Sequence, residues 1–203
     1  MEYAPSERQR PSLALRRPPA PVPVKIVVAG GFGVGKTTLV GAISDIPPLT
    51  TEGHMTSMGA AHDDRGQVTT KTTTTVALDF GRTRLDGNIM LYVFGTPGQD
   101  RFGFMWDNLI RGALGAIVLL DTRRIDDCYP AIDYFEQRAV PFVVGVNVFD
   151  GQTPPVLDDV RWALDIDRRV PLLQLDARNR VSALDSLLVL LELSLAQAVS
   201  VGR

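Results

Sequence analysis

The pattern G-x-x-x-x-G-K-T occurs at residues 30–37, which read Gly-Gly-Phe-Gly-Val-Gly-Lys-Thr. Glycines let backbone N–H groups turn toward an anion, and a helix that begins where the loop ends adds the positive end of its dipole. The lysine of this pattern lies beside the β- and γ-phosphates of a nucleotide, and the next hydroxyl is a ligand for Mg²⁺. The pattern predicts a loop that binds a nucleoside triphosphate through Gly30, Phe32, Gly33, Val34, Gly35, Lys36, Thr37 and Thr38.

Three later segments carry polar groups suited to the rest of a nucleotide. The backbone of Gly98 can approach a γ-phosphate, and the amide of Gln99 can orient the attacking water. Asn147 and Asp150 follow a buried apolar run, at the end of a strand where ligands bind in parallel sheets. Asp150 can accept both N1–H and N2–H₂ of guanine, which adenine cannot supply. The last strand ends in Asp176-Ala177-Arg178, where a backbone amide can meet guanine O6.

The elements that must position these residues alternate between strands and helices from Val24 onward, which is typical of a parallel α/β sheet. Strands are predicted at 24–29, 74–80, 88–94, 112–120, 140–146 and 170–175, and helices at 36–44, 126–138, 157–164 and 183–199. The hairpin dipeptide Asp86-Gly87 makes the second and third strands an antiparallel pair. The pattern Ser182-x-x-Asp185 resembles a capping box at the start of the last helix. No regular structure is expected at 46–73.

Composition limits the class of protein. The chain has 203 residues, 45% of them hydrophobic, and a net charge of −2, so neither nucleic acid nor an anionic membrane attracts it strongly. The single Cys128 cannot form an intrachain disulfide, which indicates a cytoplasmic protein. No apolar run reaches the roughly 18–20 residues of a membrane span. Residues 1–23 hold six of the fourteen prolines and are expected to be a disordered leader or a docking tail, followed by one domain at 24–203.

In this order the motifs resemble the Ras-like small GTPases over residues 24–199. The resemblance is closer to the GTPases of actinobacterial conservon operons, and more distant to the MglA polarity switches. It is carried by the phosphate loop and by residues 75–82 (Thr-Val-Ala-Leu-Asp-Phe-Gly-Arg), 94–102 (Phe-Gly-Thr-Pro-Gly-Gln-Asp-Arg-Phe) and 121–124 (Asp-Thr-Arg-Arg). It implies a P-loop fold of three layers, with a mostly parallel six-stranded sheet and one antiparallel edge hairpin.

The same resemblance implies GTP and GDP as ligands and Mg²⁺ as cofactor. Thr75 matches the threonine that closes onto Mg²⁺ and the γ-phosphate, although its threonine neighbours at 72–74 leave the register open. Thr37 and Thr75 are then the metal ligands, and Gln99, Lys36 and Thr75 the catalytic residues. The implied partners are a small roadblock-fold protein, a histidine-kinase-like sensor and a GTPase-activating protein, with peripheral membrane contact only through such partners.

Three residues depart from the Ras-like pattern. Gly95 replaces the acid that supports Mg²⁺, so metal binding should be weaker unless another acid such as Asp79 helps. Phe32 is bulky where small residues are usual, which predicts slow hydrolysis. Val148 replaces the lysine of the base-binding motif, which predicts weaker binding of guanine. An arginine in cis could assist hydrolysis, and the candidates, each more simply a surface residue, are Arg65, Arg82 and Arg101.

Other residues receive structural interpretations. His54 and His62 lack the spacing of a metal site, and Trp106 is expected to face the core. The last helix carries an apolar stripe that either packs in a deep groove or also meets a partner, formed by Leu184, Leu187, Leu188, Leu191 and Leu195.

Two functions follow from the sequence. The first is a switch that binds and slowly hydrolyses GTP and recruits a partner in the GTP state. The second is a nucleotide-binding module without hydrolysis, because the acid at Gly95 is missing and Phe32 is bulky. A small-molecule kinase fits poorly, since no arginine-rich lid follows the loop.

Overall fold

A computed structural model describes residues 19–56, 73–85, 88–98 and 105–201. Within them the strands are β1 (Val22–Gly30), β2 (Leu49–Thr56), β3 (Thr73–Leu85), β4 (Ile89–Gly95), β5 (Gly115–Leu120), β6 (Phe142–Asn147) and β7 (Leu172–Leu175). The helices are α1 (Lys36–Ile43), α2 (Trp106–Ile110), α3 (Tyr129–Gln137), α4 (Leu157–Leu164) and α5 (Arg180–Val201), with a 3-10 segment at Thr122–Cys128.

One sheet runs through the domain in the order β2-β3-β4-β1-β5-β6-β7. The five strands from β4 to β7 are parallel, and β3 is antiparallel to β4. This confirms the α/β class, the mostly parallel sheet and the antiparallel pair. The dipeptide Asp86-Gly87 of the predicted turn lies outside the described residues.

The sheet has one strand more than the sequence predicts. β2 pairs antiparallel with β3 along its whole length, from Leu49 opposite Phe80 to Thr56 opposite Thr73. The prediction of irregular structure is therefore wrong for residues 49–56. An edge strand takes its backbone hydrogen bonds from one neighbour and needs no alternating apolar side chains, so the pattern in the sequence carried no signal.

Two apolar layers enclose the sheet. On one face α1 and α5 pack on side chains such as Ile26, Val28 and Ile117. On the other face the 3-10 segment, α2, α3 and α4 cover Val27 and Val118. The three-layer arrangement is confirmed, and Trp106 is buried in the second layer as predicted.

The central strands bring the chemically interesting segments to one edge. The six residues of β5 and of β6 are all buried, as expected of strands covered on both faces. In the parallel register Gly30 lies beside Leu119, Val28 beside Gly95 and Asn147 beside Leu175. The segments that follow β1, β4, β6 and β7 therefore meet at the carboxyl edge of the sheet.

Two helix starts differ from the prediction. The helix expected at 126–138 begins as a 3-10 segment, and α3 starts at Tyr129 with a proline in its first turn, where no donor is needed. α5 begins at Arg180, because the side-chain oxygen of Asn179 accepts hydrogen bonds from the backbone N–H groups of Val181 (2.9 Å) and Ser182 (3.2 Å). Ser182 is therefore not the cap; its hydroxyl accepts from the N–H of Asp176 instead.

α5 also closes the carboxyl end of α1. The guanidinium of Arg180 donates to the carbonyl oxygens of Ala42 and Ile43, both at 3.0 Å, and pairs with Asp45. These carbonyls have no partner within their own helix. The end of the helix that carries the phosphate loop is thus held by a residue of the last helix.

The leucines of α5 lie on two sides of the helix. Leu187 and Leu190 are buried against the sheet, whereas Leu188 and Leu195 are exposed. By length and composition alone, residues 180–200 of α5 would suffice to cross a membrane, and 28% of their most apolar 18-residue stretch is buried inside the domain. One side of α5 packs on β5 and β6.

Candidate functional site

A cavity of about 360 Å³ opens at the carboxyl edge of the sheet. The phosphate loop forms one end, and the segments after β6 and β7 form the other. Most of its lining consists of residues singled out from the sequence, namely Gly33, Gly35, Thr38, Asn147, Asp150, Ala177 and Arg178, together with Val148 and Phe149. The structure thus brings together, in one place, side chains that are up to 145 positions apart in the sequence.

The loop has the backbone that its glycines suggest. Gly30, Gly33 and Gly35 have φ angles of 132°, 72° and 106°, which other residues rarely adopt. A Cβ on Gly35 would also lie 2.7 Å from the Nδ2 of Asn147. α1 begins at Lys36 immediately after this turn, and Thr38 of its first turn lines the cavity.

Lys36 is turned back onto its own loop. Its Nζ donates to the carbonyl oxygens of Gly30 (2.9 Å) and Gly31 (2.6 Å), and the residue is 8% exposed. Burial lowers the pKa of Lys36 to about 8, while Asp79 opposes this fall and Arg124 adds to it. An anion placed beside this poorly solvated amine would stabilise its charged form.

Thr37 and Asp79 form the most direct candidate for a metal site. The Thr37 hydroxyl donates to the carboxylate of Asp79 at 2.6 Å, and Asp79 is 9% exposed. Asp79 pairs with Gly95 across β3 and β4, and a Cβ on Gly95 would lie 3.3 Å from the Asp79 carboxylate. The Asp79 carboxylate of the neighbouring strand therefore lies close to the place where a side chain at position 95 would begin.

These oxygen atoms fit Mg²⁺, which prefers hard oxygen ligands and is usually held by one or two carboxylates. A hydroxyl whose hydrogen is held by a carboxylate keeps its lone pairs free for a cation. No cluster of three or more histidine, cysteine or acidic side chains suited to a metal occurs among the described residues. The Thr37–Asp79 pair thus depends on the bound phosphates to complete a metal site.

Asn147 connects the two ends of the cavity. Its amide nitrogen donates to the carbonyl of Val34 in the phosphate loop at 2.9 Å. Its amide oxygen accepts from the N–H of Ala177 at 3.0 Å. With both bonds buried, the side chain fixes the distance between the loop and the segment after β7.

Asp150 and Arg178 lie at the far end of the cavity. Arg178 makes an ion pair with Asp150 and a bidentate pair with Asp176, both bonds to Asp176 at 2.9 Å. The hydrogen bonds that Arg178 donates, first to Asp176 and second to Asp150, raise the pKa of Arg178. The bonds to Asp176 also lower the pKa of Asp176. The side chain of Asp150 is 87% exposed, so its carboxylate is accessible but already paired.

Gly98 lies directly over the phosphate loop. A Cβ at Gly98 would lie 2.6 Å from the Nζ of Lys36 and 3.0 Å from the Cα of Phe32. The backbone after β4 therefore approaches the loop at the place where the sequence predicts a γ-phosphate. The Phe32 side chain itself is 68% exposed.

Sequence reasoning missed one arginine at the loop. Arg124 donates to the carbonyl oxygen of Phe32 at 2.8 Å, whereas Arg82, a candidate for an arginine in cis, is an exposed residue of β3. The pair Arg123-Arg124 stands in the quoted Asp-Thr-Arg-Arg segment, which was the only available signal. Arg123 bonds to Asp121 and lies over the ring of Phe149, which lines the base end of the cavity, with 4.3 Å between guanidinium carbon and ring centre.

Several predicted residues are placed only in part. The backbone of Thr75 lies in β3 opposite His54 of β2, and its side chain is outside the described part of the structure. Gln99, Arg65, Arg101 and His62 also lie outside the described residues. Their predicted roles stay predictions.

The comparison with protein families agrees with the phosphate loop. The profile of a family described as a conserved hypothetical ATP binding protein matches residues 28–201, from the middle of β1 to the end of α5. The chain belongs to this family. As a member of this P-loop family it is a nucleotide-binding protein, and such proteins usually bind Mg²⁺ with the nucleotide.

The chain is also similar to individual proteins. The chain is 32% identical over 129 residues to an uncharacterised protein of Methanocaldococcus jannaschii, covering 63% of this chain and 71% of the relative. It is 24% identical over 179 residues to the Ras-related protein Rab-7b of Mus musculus, covering 83% and 81% of the two chains. Rab-7b of Homo sapiens is 21% identical over 190 residues, covering 89% and 86%. The chain is thus similar to Ras-related proteins across most of its length.

Proposed function

We propose that this protein is a guanine-nucleotide switch that binds GTP and hydrolyses it slowly to GDP and phosphate. The observation that carries the proposal is the shared cavity in which the phosphate loop faces Asn147, Asp150 and Ala177. The likeness to Rab-7b over most of both chains supports a Ras-like protein. The family description names ATP, so the identity of the base is the first thing to test.

The phosphates would bind to the inward N–H groups of the loop and to Lys36. Thr37 and, through it, Asp79 would hold Mg²⁺, which neutralises charge on the phosphates when bound. In the reaction a water oxygen bonds to the γ-phosphorus, the bond from that phosphorus to the bridging oxygen breaks, and GDP keeps the oxygen. Gln99 is proposed to orient the water and Thr75 to close onto the γ-phosphate.

The base would bind at the other end of the cavity. Asp150 is placed to accept two N–H groups of guanine, after Arg178 has moved from its carboxylate. The N–H of Ala177, which donates to Asn147, lies next to where guanine O6 would be placed. Without the usual lysine, replaced by Val148, binding of guanine is expected to be weaker than in typical Ras-like proteins.

Gly98 supports the switch. Because its backbone packs close to Phe32 and Lys36, a third phosphate at the loop requires this segment to move. GTP and GDP would then stabilise different positions of residues 96–98, which is the differential contact that a switch needs. The bulk of Phe32 at the same place is expected to slow hydrolysis.

The remaining features are proposals from resemblance. The conservon-type likeness suggests a small roadblock-fold protein and a sensor-kinase-like protein as partners. A GTPase-activating partner would compensate for slow turnover, and a cytoplasmic location with peripheral contact to the membrane through partners fits these roles.

A module that binds nucleotide without hydrolysis is the second candidate. The observation that favours it is again the close contact of Gly98 with the loop, which disfavours a triphosphate. In that case GDP would bind, and GTP would bind less tightly without turnover.

The test is to identify the nucleotide that copurifies with the protein and to follow phosphate release from GTP and from ATP with Mg²⁺ over hours. Slow release from GTP that vanishes in Lys36→Ala supports the switch. Tight binding of guanine nucleotides without release supports the second candidate. Equal binding of ATP and GTP would contradict the role of Asp150.

A further inference from the structure

Arg124 reaches the phosphate loop from a distant part of the chain. Its terminal nitrogen donates to the carbonyl oxygen of Phe32 at 2.8 Å, and the same nitrogen would be 3.6 Å from a Cβ on Gly33. The arginine belongs to the 3-10 segment after β5, 92 positions away in sequence from Phe32. Arg124 therefore brings a positive charge to the loop in addition to that of Lys36.

The contact involves one particular peptide unit. The Phe32–Gly33 peptide is trans and planar, so its carbonyl and its N–H point in opposite directions. Arg124 occupies the carbonyl side. Gly33 lines the cavity, and its N–H lies on the side of the peptide opposite the Arg124 contact.

Two acidic side chains lie near the guanidinium of Arg124. Its guanidinium lies 3.8 Å from Asp121 and 3.7 Å from Asp127. Hydrogen bonds from Arg123 lower the pKa of the buried Asp121 carboxyl, so Asp121 stays ionised. The backbone of Arg124 itself is non-helical (φ −145°, ψ 59°) and interrupts the 3-10 segment.

A cation on a carbonyl oxygen strengthens the hydrogen bond that the N–H of the same peptide donates, because hydrogen bonds in series polarise one another. The benefit grows with the negative charge on the acceptor. During hydrolysis the leaving diphosphate gains charge, so a polarised donor stabilises the transition state more than the bound nucleotide.

We propose that Arg124 is a positioning residue for hydrolysis, which acts on the phosphates through the Phe32–Gly33 peptide and does not contact them itself. This inference rests on the proposed function. In this proposal the arginine of this chain that assists hydrolysis is Arg124, which contacts the loop on the side of the Phe32 carbonyl. Arg82, a candidate from the sequence, is exposed on β3.

Two substitutions test the charge of Arg124. Arg124→Gln removes the charge and shortens the side chain, so that the contact with the Phe32 carbonyl is lost as well, whereas Arg124→Lys keeps the charge on one compact donor group. Arg138→Gln is the matched control, because Arg138 pairs with Asp107 on the surface and does not contact the loop. Thermal melting of each variant checks that the fold is intact.

For each variant the measurements are the dissociation constant of GDP, the single-turnover rate of GTP hydrolysis, and the ³¹P NMR shifts of bound GDP. We expect Arg124→Gln to hydrolyse about tenfold more slowly, which corresponds to about 1.4 kcal/mol, with GDP affinity changed less than about threefold. Arg124→Lys should recover part of the rate. The ³¹P shifts should move in Arg124→Gln and not in Arg138→Gln.

An unchanged rate in Arg124→Gln would overturn the inference, and so would a parallel loss of rate and affinity in both Arg124 variants. If Arg124→Gln does not fold, an unchanged rate in Arg124→Lys together with unchanged ³¹P shifts overturns it. A wild-type protein that binds GTP without hydrolysing it contradicts the proposed function and, with it, the role of Arg124 in hydrolysis, whereas a wild type that hydrolyses GTP as fast as Arg124→Gln contradicts the inference alone. A protein that binds no nucleotide overturns both.

Discussion

The two ends of the cavity are built in different ways. At the phosphate end the functional groups are backbone atoms and buried side chains, such as Lys36 and Asp79, that already bond to neighbouring groups of the fold. At the base end Asp150 and Arg178 are exposed and joined by surface ion pairs. Exposed ion pairs contribute little to stability and exchange easily. In the proposed function, phosphate binding would therefore depend on groups that the fold already positions, and the choice of base on a few exposed side chains.

Asn147 is the one described side chain that bonds to both ends. We expect Asn147→Ala to have the largest effect, because it leaves the Val34 carbonyl and the Ala177 N–H buried without a partner. At about 1–3 kcal/mol for each of the two groups, the loss is about 2–6 kcal/mol of unfolding free energy. Denaturant unfolding measures it, together with a loss of nucleotide affinity.

Asn179→Ala is the matched control for this substitution. Asn179 also bonds to two backbone N–H groups, but as the exposed cap of α5, so it should cost about 1 kcal/mol. Its nucleotide affinity should not change. Equal losses in the two variants would show that Asn147 does not link the two ends.

Asp150→Asn addresses the base end alone. An amide cannot accept both N–H groups of guanine, and a bidentate base contact is worth about 1–3 kcal/mol of discrimination, so the preference for guanine over adenine nucleotides should fall by about 10–100-fold. Competition binding with GDP and ADP measures it. Asp176→Asn also weakens the hold on Arg178 but leaves Asp150 intact, and it should keep the preference. Loss of preference in both variants would assign selectivity to Arg178.

Asp79→Asn addresses the phosphate end alone. Residues that support metal ligands are typically worth about 10–100-fold in metal affinity, and we expect the lower limit because the amide can still accept from Thr37. Titration of Mg²⁺ against nucleotide release measures this change. Asp45→Asn is the control, since Asp45 accepts from Thr83 at the same 2.6 Å, away from the loop. An unchanged Mg²⁺ requirement in Asp79→Asn would show that the Asp79 carboxylate takes no part in metal binding.

The smallest effect is a dependence on pH at the phosphate end. The free protein has a Lys36 pKa lowered to about 8 from 10.5, so its folded state gains stability as pH rises through this window. Bound phosphates favour the charged amine and raise its pKa, so binding takes up a proton above pH 8. Nucleotide affinity should fall about fivefold over the next pH unit. Calorimetry in two buffers detects the proton, and Lys36→Arg should abolish its uptake.

The sequence predicted the phosphate end of the cavity better than the segments that pack around it. A glycine-rich loop between an apolar strand and a helix is a local signal, so Lys36 and Thr37 could be placed without long-range information. Asp79 was suggested only because Gly95 lacked an acid, and the pairing of β3 with β4 places it beside Gly95; its role in metal binding stays a prediction. β2 was not predictable, because its pairing with β3 is set by backbone bonds. Arg124 was missed because its contact depends on how the chain turns after β5.

The contacts of α5 have a consequence for how the molecule forms. Arg180 holds the end of α1, and Ala183, Leu187 and Leu190 complete the apolar layer beneath the loop. α5 follows every described strand in the chain, so during synthesis it leaves the ribosome after the whole sheet. Contacts between distant segments form slowly, and domains generally fold as units. The nascent chain would therefore be unable to retain nucleotide until its final helix docks, which makes ligand retention a marker of completed folding.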